Sequence, residues 1–401
     1  MSGMSGRLMT VALMLASAAL AGAQTRQPDV EAAWGLIANG QRDNAVALLR
    51  QIVGSDPRNA DARLLLGSVL MEAGQAAESI DQLSKAVQLR PKSADAHIAL
   101  GEAYQAFGRP DAARPEFERA LAINPASAQA QLNLAALQLE AGEGDAAAEH
   151  LDRAIKLFGK KPDAAYPHYL RAKVYTLRRD TARAAAELGQ AVALRPDFAE
   201  AWSDLGEARK AAFDDAGALA AFRRAVELSS GDAVAQTRLG SKLLDLDKAH
   251  EAVSHLQEAA RLDPKNQSAL NALQLALRKD GQIEQANAVR QRLAELMRER
   301  DKADQNLVAS IELNNRGAAL EKEGDLRGAS EKYRAALALN PEHVGIRVNL
   351  AVALLKLGQW EQGIAEMRDA LRRDPGSTEI QKALDDAIAQ AQAHGIVLRR
   401  P

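Results

Sequence analysis

The sequence predicts an all-α protein, an α-solenoid of about ten repeated helix pairs. Prolines recur at intervals of 34 residues, as at Pro57, Pro91 and Pro125, and small residues recur in fixed columns of the same register. The composition, 47% hydrophobic and 26% charged, is that of a folded soluble protein. One helix pair cannot bury its apolar stripe alone, so neighbouring pairs must stack.

Residues 1–23 have the pattern of a secretory signal peptide. Arg7 precedes the apolar stretch Leu8–Leu20, and Ala21 and Ala23 fit the small-residue rule for cleavage before Gln24. This stretch is shorter than the roughly 20 apolar residues of a membrane span. We therefore expect an exported protein, periplasmic or secreted, with no membrane insertion once the signal is removed. An uncleaved anchor and an ordinary N-terminal helix are the alternatives.

The repeat register predicts where each helix ends. Ten repeats begin near residues 26, 60, 94, 128, 165, 199, 233, 267, 310 and 344. Position 15 is glycine in seven of them, from Gly40 to Gly358, and glycine accepts the left-handed conformation of a tight turn. Proline at position 32 ends the second helix because it lacks an N–H group. Glycine or alanine occupies position 8 in nine repeats, so helix axes can approach closely.

The third repeat carries the fullest pattern, with Gly101, Tyr104, Ala113, Phe117 and Pro125. This pattern resembles the tetratricopeptide repeat family, and the resemblance covers residues 26–377. It implies a right-handed superhelix in which the first helix of each repeat lines a concave groove. The eighth repeat departs from the pattern at Gln274, Arg290 and Leu293, and the fifth at Arg171.

The register also predicts the organisation of the chain. Repeats 1–8 span 24–300, with three extra residues inserted between repeats 4 and 5. A charge-dense helical spacer at 301–309 separates them from repeats 9 and 10, at 310–377. Residues 378–401 form a C-terminal capping helix and tail, with Ser377 as its N-cap. The alternative to two blocks is one continuous solenoid containing a long helix.

The chain carries little catalytic equipment. It has no cysteine, no glycine-rich phosphate loop and no nucleophile motif. His250 and His255 are five residues apart, which is a poor spacing for a shared metal. With no domain outside the repeats, we expect a protein that is not an enzyme and binds no cofactor. The net charge of −2 gives no general attraction to nucleic acid.

Two sets of groove residues are candidates for partner binding. Position 6 carries Asn133, Asp204, Asn315 and Asn349. This column resembles the asparagine ladder in the repeats of protein O-GlcNAc transferase, where asparagine side chains hold a peptide main chain. The alternative is a solvated polar face.

The second set lies in the fifth repeat. Tyr166 and Tyr169 occupy groove positions 2 and 5, and Lys173 occupies position 9. Amphipathic rings beside a cation are typical of an interaction hot spot. The alternative is a packing patch that seals the insertion.

Together these features predict a non-enzymatic protein–protein interaction scaffold in the bacterial cell envelope. Its groove is expected to bind an extended peptide or a protein partner. The alternative function is a structural subunit of an envelope export or polysaccharide-secretion assembly.

Overall fold

The computed structural model describes residues 28–396, which form twenty α-helices, one short 3₁₀ helix and no strand. The predicted all-α class is confirmed. The predicted signal peptide and the last five residues of the predicted tail lie outside the described range. Within that range, no helix combines the length and apolarity needed to cross a bilayer.

The chain divides into two compact units between Pro264 and Lys265. In the first unit the two helices of each repeat pack together, and each repeat packs against the next. Its helices are α1 (Pro28–Ala38), α2 (Arg42–Ser55), α3 (Ala60–Glu72), α4 (Ala76–Leu89), α5 (Ala94–Ala106), α6 (Pro110–Ile123), α7 (Ala128–Glu140), α8 (Gly144–Phe158), α9 (Ala165–Leu177), α10 (Thr181–Leu194), α11 (Ala199–Ala211), α12 (Asp215–Leu228), α13 (Ala233–Asp245) and α14 (Ala249–Leu262). The insertion between repeats 4 and 5 contains the 3₁₀ helix Pro162–Ala164.

The second unit contains the remaining helices. They are α15 (Gln267–Lys279), α16 (Ile283–Lys322), α17 (Leu326–Leu339), α18 (Val344–Lys356), α19 (Trp360–Arg373) and α20 (Thr378–Ala393). Helix α20 is the predicted capping helix. As predicted, Ser377 caps it, because its hydroxyl accepts a hydrogen bond from the Ile380 N–H at 3.3 Å.

The turn inside every repeat has a left-handed residue at position 15. The seven predicted glycines have φ angles between 71° and 88°. In repeats 5, 6 and 7 the same conformation is adopted by Arg179, Phe213 and Asp247, with φ of 58°, 60° and 58°. The turn geometry is therefore common to all ten repeats, although the glycine that favours it is not.

Position 8 sets how closely the two helices of a repeat approach. A Cβ atom added at Gly101 would lie 2.6 Å from the ring of Phe117, and one at Gly206 would lie 2.5 Å from the ring of Phe222. Gly317 faces Tyr333 in the same way. Every repeat with an aromatic residue at position 24 thus has glycine at position 8. Alanine at position 8 is found only opposite leucine or methionine.

In several repeats the polar side chain at position 4 hydrogen-bonds to the backbone of the turn that precedes the repeat. In six repeats this side chain hydrogen-bonds to the backbone carbonyl six residues earlier, at 2.6–3.1 Å. The side chains are Arg63, His97, Gln131, Trp202, Gln236 and Arg347. Most of them also bond to position 23 of their own repeat, as His97 does to Glu116 at 2.6 Å. The buried side chains Arg63, His97, Gln131 and Gln236 thus each have two hydrogen-bond partners.

Helix α16 spans 40 residues and contains the predicted spacer 301–309 in its middle. In the second half of α16, the positions that usually pack against a neighbouring helix carry polar residues. Arg316 replaces the leucine usual at position 7, and Glu312 replaces the alanine usual at position 3; both are exposed. In the first half, Arg290 replaces the large apolar residue of position 24. These changes remove the apolar contacts that would favour a turn, so the helix continues. The grouping of repeats into two blocks around the spacer stays a prediction.

Candidate functional site

The first helices of repeats 2 to 5 (α3, α5, α7 and α9) contact one another in order along the first unit. Positions 2, 5, 6, 9, 12 and 13 of the first helices form what we call the first-helix face. Two clusters of candidate functional side chains lie on it. The aromatic–ionic cluster comprises Tyr166, Tyr169, Lys173, Asp204 and Arg238, and the amide–carboxylate cluster comprises Glu102, Gln105, Gln129, Asn133 and Glu140.

The rings of the aromatic–ionic cluster pack against each other. Tyr166 and Tyr169 stack with ring centroids 6.1 Å apart, and Tyr169 lies 4.9 Å from the ring of Phe198. Both tyrosines are half-buried and also contact the apolar core of repeat 4. They therefore do pack across the repeats that flank the insertion, as the packing alternative requires, while part of each ring stays accessible.

Asp204 is the centre of the ionic half of this cluster. Its carboxylate lies 3.0 Å from Arg238 Nη1 and 3.6 Å from Lys173 Nζ. Lys173 Nζ also sits 4.7 Å from the centroid of the Tyr169 ring, within cation–π range. Arg238 Nη1 donates to Ser203 Oγ at 2.7 Å. The three charged side chains thus hold one another in place beside the rings.

Both tyrosine hydroxyls remain protonated at neutral pH. Burial is the main cause that raises the pKa of Tyr166 to about 12. Burial also raises the pKa of Tyr169, and the nearby Asp204 carboxylate, to which the Tyr169 hydroxyl donates, raises it further. The Tyr166 hydroxyl can therefore serve as a hydrogen-bond donor to a partner, whereas the Tyr169 hydroxyl already donates to Asp204, and neither hydroxyl acts as a base.

The amide–carboxylate cluster joins repeats 3 and 4. Glu102 Oε1 accepts hydrogen bonds from Asn133 Nδ2 at 2.8 Å and from Gln129 Nε2 at 3.4 Å. Gln129 Nε2 also donates to Asn133 Oδ1 at 2.8 Å. At the same junction Gln105 donates to the carboxylate of Glu140. Burial raises the pKa of Glu102 to about 7, although its two amide bonds act in the opposite direction.

This raised pKa predicts a pH-dependent stability. A carboxyl group with a folded pKa of about 7 and an ordinary pKa of 4.5 stabilises the fold when protonated, and that contribution is lost as the pH rises through 7. We expect the urea concentration at which the unliganded protein is half unfolded to decrease as the pH is raised from about 5 to about 8. The decrease should be smaller in Glu102→Gln, whose amide side chain does not titrate. Equal pH profiles for the two proteins would contradict the assignment.

The other predicted site residues are placed as follows. Tyr166, Tyr169 and Lys173 lie together, and Asp204, which the sequence placed in the other set, lies beside them. Asn133 is fully buried, and both of its side-chain polar atoms are bonded within the protein. In the second unit Asn349 Nδ2 donates to Asn314 Oδ1 at 3.0 Å, and Asn315 is exposed. The peptide-holding role of this column stays a prediction.

Sequence reasoning missed five residues of these clusters, namely Arg238, Glu102, Gln105, Gln129 and Glu140. Arg238 occupies position 6, the same column as Asp204, but the asparagine pattern of that column does not indicate a charge partner. Glu102 and Gln129 are 27 residues apart, and comparing position 9 of one repeat with positions 2 and 6 of the next would have found them.

Among residues 28–396 no group of acidic and histidine side chains could hold a metal ion.

Comparison with solved structures shows the same fold. The chain is similar to pilF of Pseudomonas aeruginosa, with 20% identity and a TM-score of 0.50, over 54% of this chain and 97% of that one. It is also similar to YrrB, a TPR protein with an unusual peptide-binding site, with 19% identity and a TM-score of 0.40, over 47% of this chain and 96% of that one. A third similar structure is that of TTC0263, a TPR protein of Thermus thermophilus, with 21% identity and a TM-score of 0.39, over 45% of this chain and 97% of that one. No curated protein matches the chain.

The family assignment comes from sequence profiles. Profiles of the tetratricopeptide repeat match residues 36–100, 70–115, 105–174 and 320–387, and a second such profile matches 169–233. The region from 234 to 319 falls outside these matches and includes the eighth repeat, where Gln274 and Arg290 depart from the pattern. The matched segments agree with the observed helix pairs, and the chain belongs to the tetratricopeptide repeat family.

Proposed function

We propose that this protein is a non-enzymatic scaffold of the bacterial cell envelope that binds an extended peptide, or an extended segment of a protein partner, along its first-helix face. The observation that carries the proposal is the aromatic–ionic cluster. Two partly exposed tyrosine rings lie beside Lys173, whose charge is already held by Asp204. Rigid amphipathic rings with a neighbouring cation are the residues that contribute most to interface affinity.

The proposed location rests on residues 1–23. Their charged start, apolar stretch and small residues at the expected cleavage site are the features that direct export. Sequencing the N-terminus of the protein recovered from the periplasmic fraction tests this part separately. A protein retained in the cytoplasm would contradict it.

Peptide binding is tested with a random twelve-residue peptide display library selected on the purified protein. We expect Tyr169→Ala to weaken binding of the selected peptides by about tenfold or more, because it removes a ring from the centre of the cluster. Fluorescence anisotropy with labelled peptides measures the change.

The matched control for Tyr169 is Tyr175→Ala. Tyr175 lies on the same helix, but its ring is covered by the Arg183 guanidinium, 5.0 Å from the ring centroid, rather than facing the first-helix face. We expect this control to leave the affinity within about twofold, as is usual for residues outside a hot spot. Equal losses in both variants, or no loss in Tyr169→Ala when its circular dichroism is unchanged, would contradict the proposed site.

A further inference from the structure

The two carboxyl groups of the amide–carboxylate cluster have no cationic partner among the described residues. Within the described residues neither Glu102 nor Glu140 forms an ion pair; each is held only by side-chain amides. The contrast within the same chain is Glu207, which occupies in repeat 6 the position that Glu102 occupies in repeat 3. Glu207 lies 3.6 Å from Arg238 Nε. Glu102 is half-buried, and its ionised form without a cation costs free energy that a bound cation would offset.

A second acceptor at this junction also has no partner. Gln129 is only 4% exposed, and its Oε1 atom has no hydrogen-bond donor among the described residues. Its amide nitrogen is used on Glu102 and Asn133, which directs the amide plane into the cluster. A buried acceptor left unsatisfied is unfavourable by about 1–3 kcal/mol. The junction therefore has a buried acceptor, Gln129 Oε1, that a ligand donor could satisfy.

We propose that the amide–carboxylate cluster is a subsite for the cationic head of a lysine or arginine side chain of the bound peptide. This inference rests on the proposed function. Oε1 of Glu102 accepts both amide bonds, so Oε2 is the oxygen left for a ligand. An ammonium or a guanidinium carries several donors and can bond to Oε2 and to a second acceptor at once. Glu140, at the same junction, adds a second negative charge.

The position of the cationic residue in the peptide follows from the spacing of the helices. Neighbouring helices lie about 8–10 Å apart, and an extended peptide advances about 3.3 Å per residue. Asn133 is one first helix away from the tyrosines and Glu102 is two. The lysine or arginine should therefore lie about three to six residues from the peptide residue that contacts Tyr166 and Tyr169.

The selected peptides provide the test. Alignment of peptides that bind the protein should show lysine or arginine enriched at one position, and the enrichment should disappear when the selection is repeated on Glu102→Gln. One labelled peptide and its copy with norleucine in place of that residue are then measured by fluorescence anisotropy. We expect norleucine to lose about tenfold in affinity for the unmodified protein and less than about twofold for Glu102→Gln.

The control is Glu207→Gln, which removes the same charge from the same repeat position where Arg238 already pairs with it. It should leave the tenfold preference for the cation intact. A preference that persists in Glu102→Gln, or selected peptides with no cationic position, would overturn the subsite and leave the proposed peptide binding standing. Selection of no peptide at all would overturn both. Thermal melts confirm that each variant is folded.

Discussion

Replacing Gly206 by alanine will destabilise the sixth repeat by about 1–3 kcal/mol, because the added Cβ would overlap a packed ring. That Cβ would lie 2.5 Å from both Cδ1 and Cε1 of Phe222. Phe222 is fully buried and cannot swing away without displacing its neighbours. The urea midpoint, followed by circular dichroism, and amide hydrogen exchange in α11 and α12 measure the loss. The exchange data are needed because a repeat array can unfold in parts.

A second substitution, copied from other repeats of the chain, should restore stability to this variant. Repeats 4 and 5 have alanine at position 8, as Ala135 and Ala172, and leucine at position 24, as Leu151 and Leu188. All four side chains are buried. Gly206→Ala should therefore cost much less in a Phe222→Leu background than alone. An equal cost in both backgrounds would show that the ring is not the reason for glycine at position 8.

Replacing Arg171 by leucine will destabilise the fifth repeat by about 2 kcal/mol, although leucine is the usual residue at this position. Arg171 Nη2 donates to both carboxylate oxygens of Glu187, at 2.7 and 2.8 Å, and Nη1 donates to Asp152 at 2.5 Å. The Glu187 side chain is only 14% exposed. Without Arg171 it keeps one partner, His168, at 2.7 Å. Breaking a largely buried pair from one side is unfavourable because the other charge stays behind.

The pH dependence of this loss has a defined sign. Burial by itself would raise the pKa of Glu187, but hydrogen bonds from His168 and Arg171 outweigh it and lower the pKa below 4.5. A lowered carboxyl pKa contributes stability above the ordinary pKa, and this contribution disappears as the pH falls through the folded value. The difference in midpoint between the unmodified protein and Arg171→Leu should therefore shrink below about pH 4.5.

A triple variant separates the charge network from the shape of the site. Repeats 4 and 7 solve the same packing problem with a neutral pair, glutamine at position 4 and histidine at position 23, and leucine at position 7. Combining His168→Gln, Arg171→Leu and Glu187→His copies that arrangement into repeat 5 and should recover most of the lost stability. A triple variant no more stable than Arg171→Leu would contradict this explanation.

The fold could be predicted from the sequence because its signals repeat. The glycine at the turn recurs in seven repeats and the small residue at position 8 in nine, so exceptions such as Phe213 do not hide the pattern. The clusters on the first-helix face have no such reinforcement. Tyr166, Tyr169 and Lys173 were found because unusual residues share one helix. Arg238 contacts Asp204 from a neighbouring repeat, and Gln129 contacts Glu102 in the same way. Such contacts join different residue types in different repeats, so no recurring column indicates them.

The left-handed turns of repeats 5, 6 and 7 reduce the local stability of these repeats. Arg179, Phe213 and Asp247 each carry a side chain in a conformation that costs about 1–2 kcal/mol relative to the right-handed one. Phe213 is also 92% exposed, so its ring recovers little of that cost by burial. These three strained turns lie in the same repeats as the aromatic–ionic cluster. The cost of these turns lowers the free energy of local opening in repeats 5, 6 and 7, and a partner bound to the first-helix face, as proposed above, would oppose that opening.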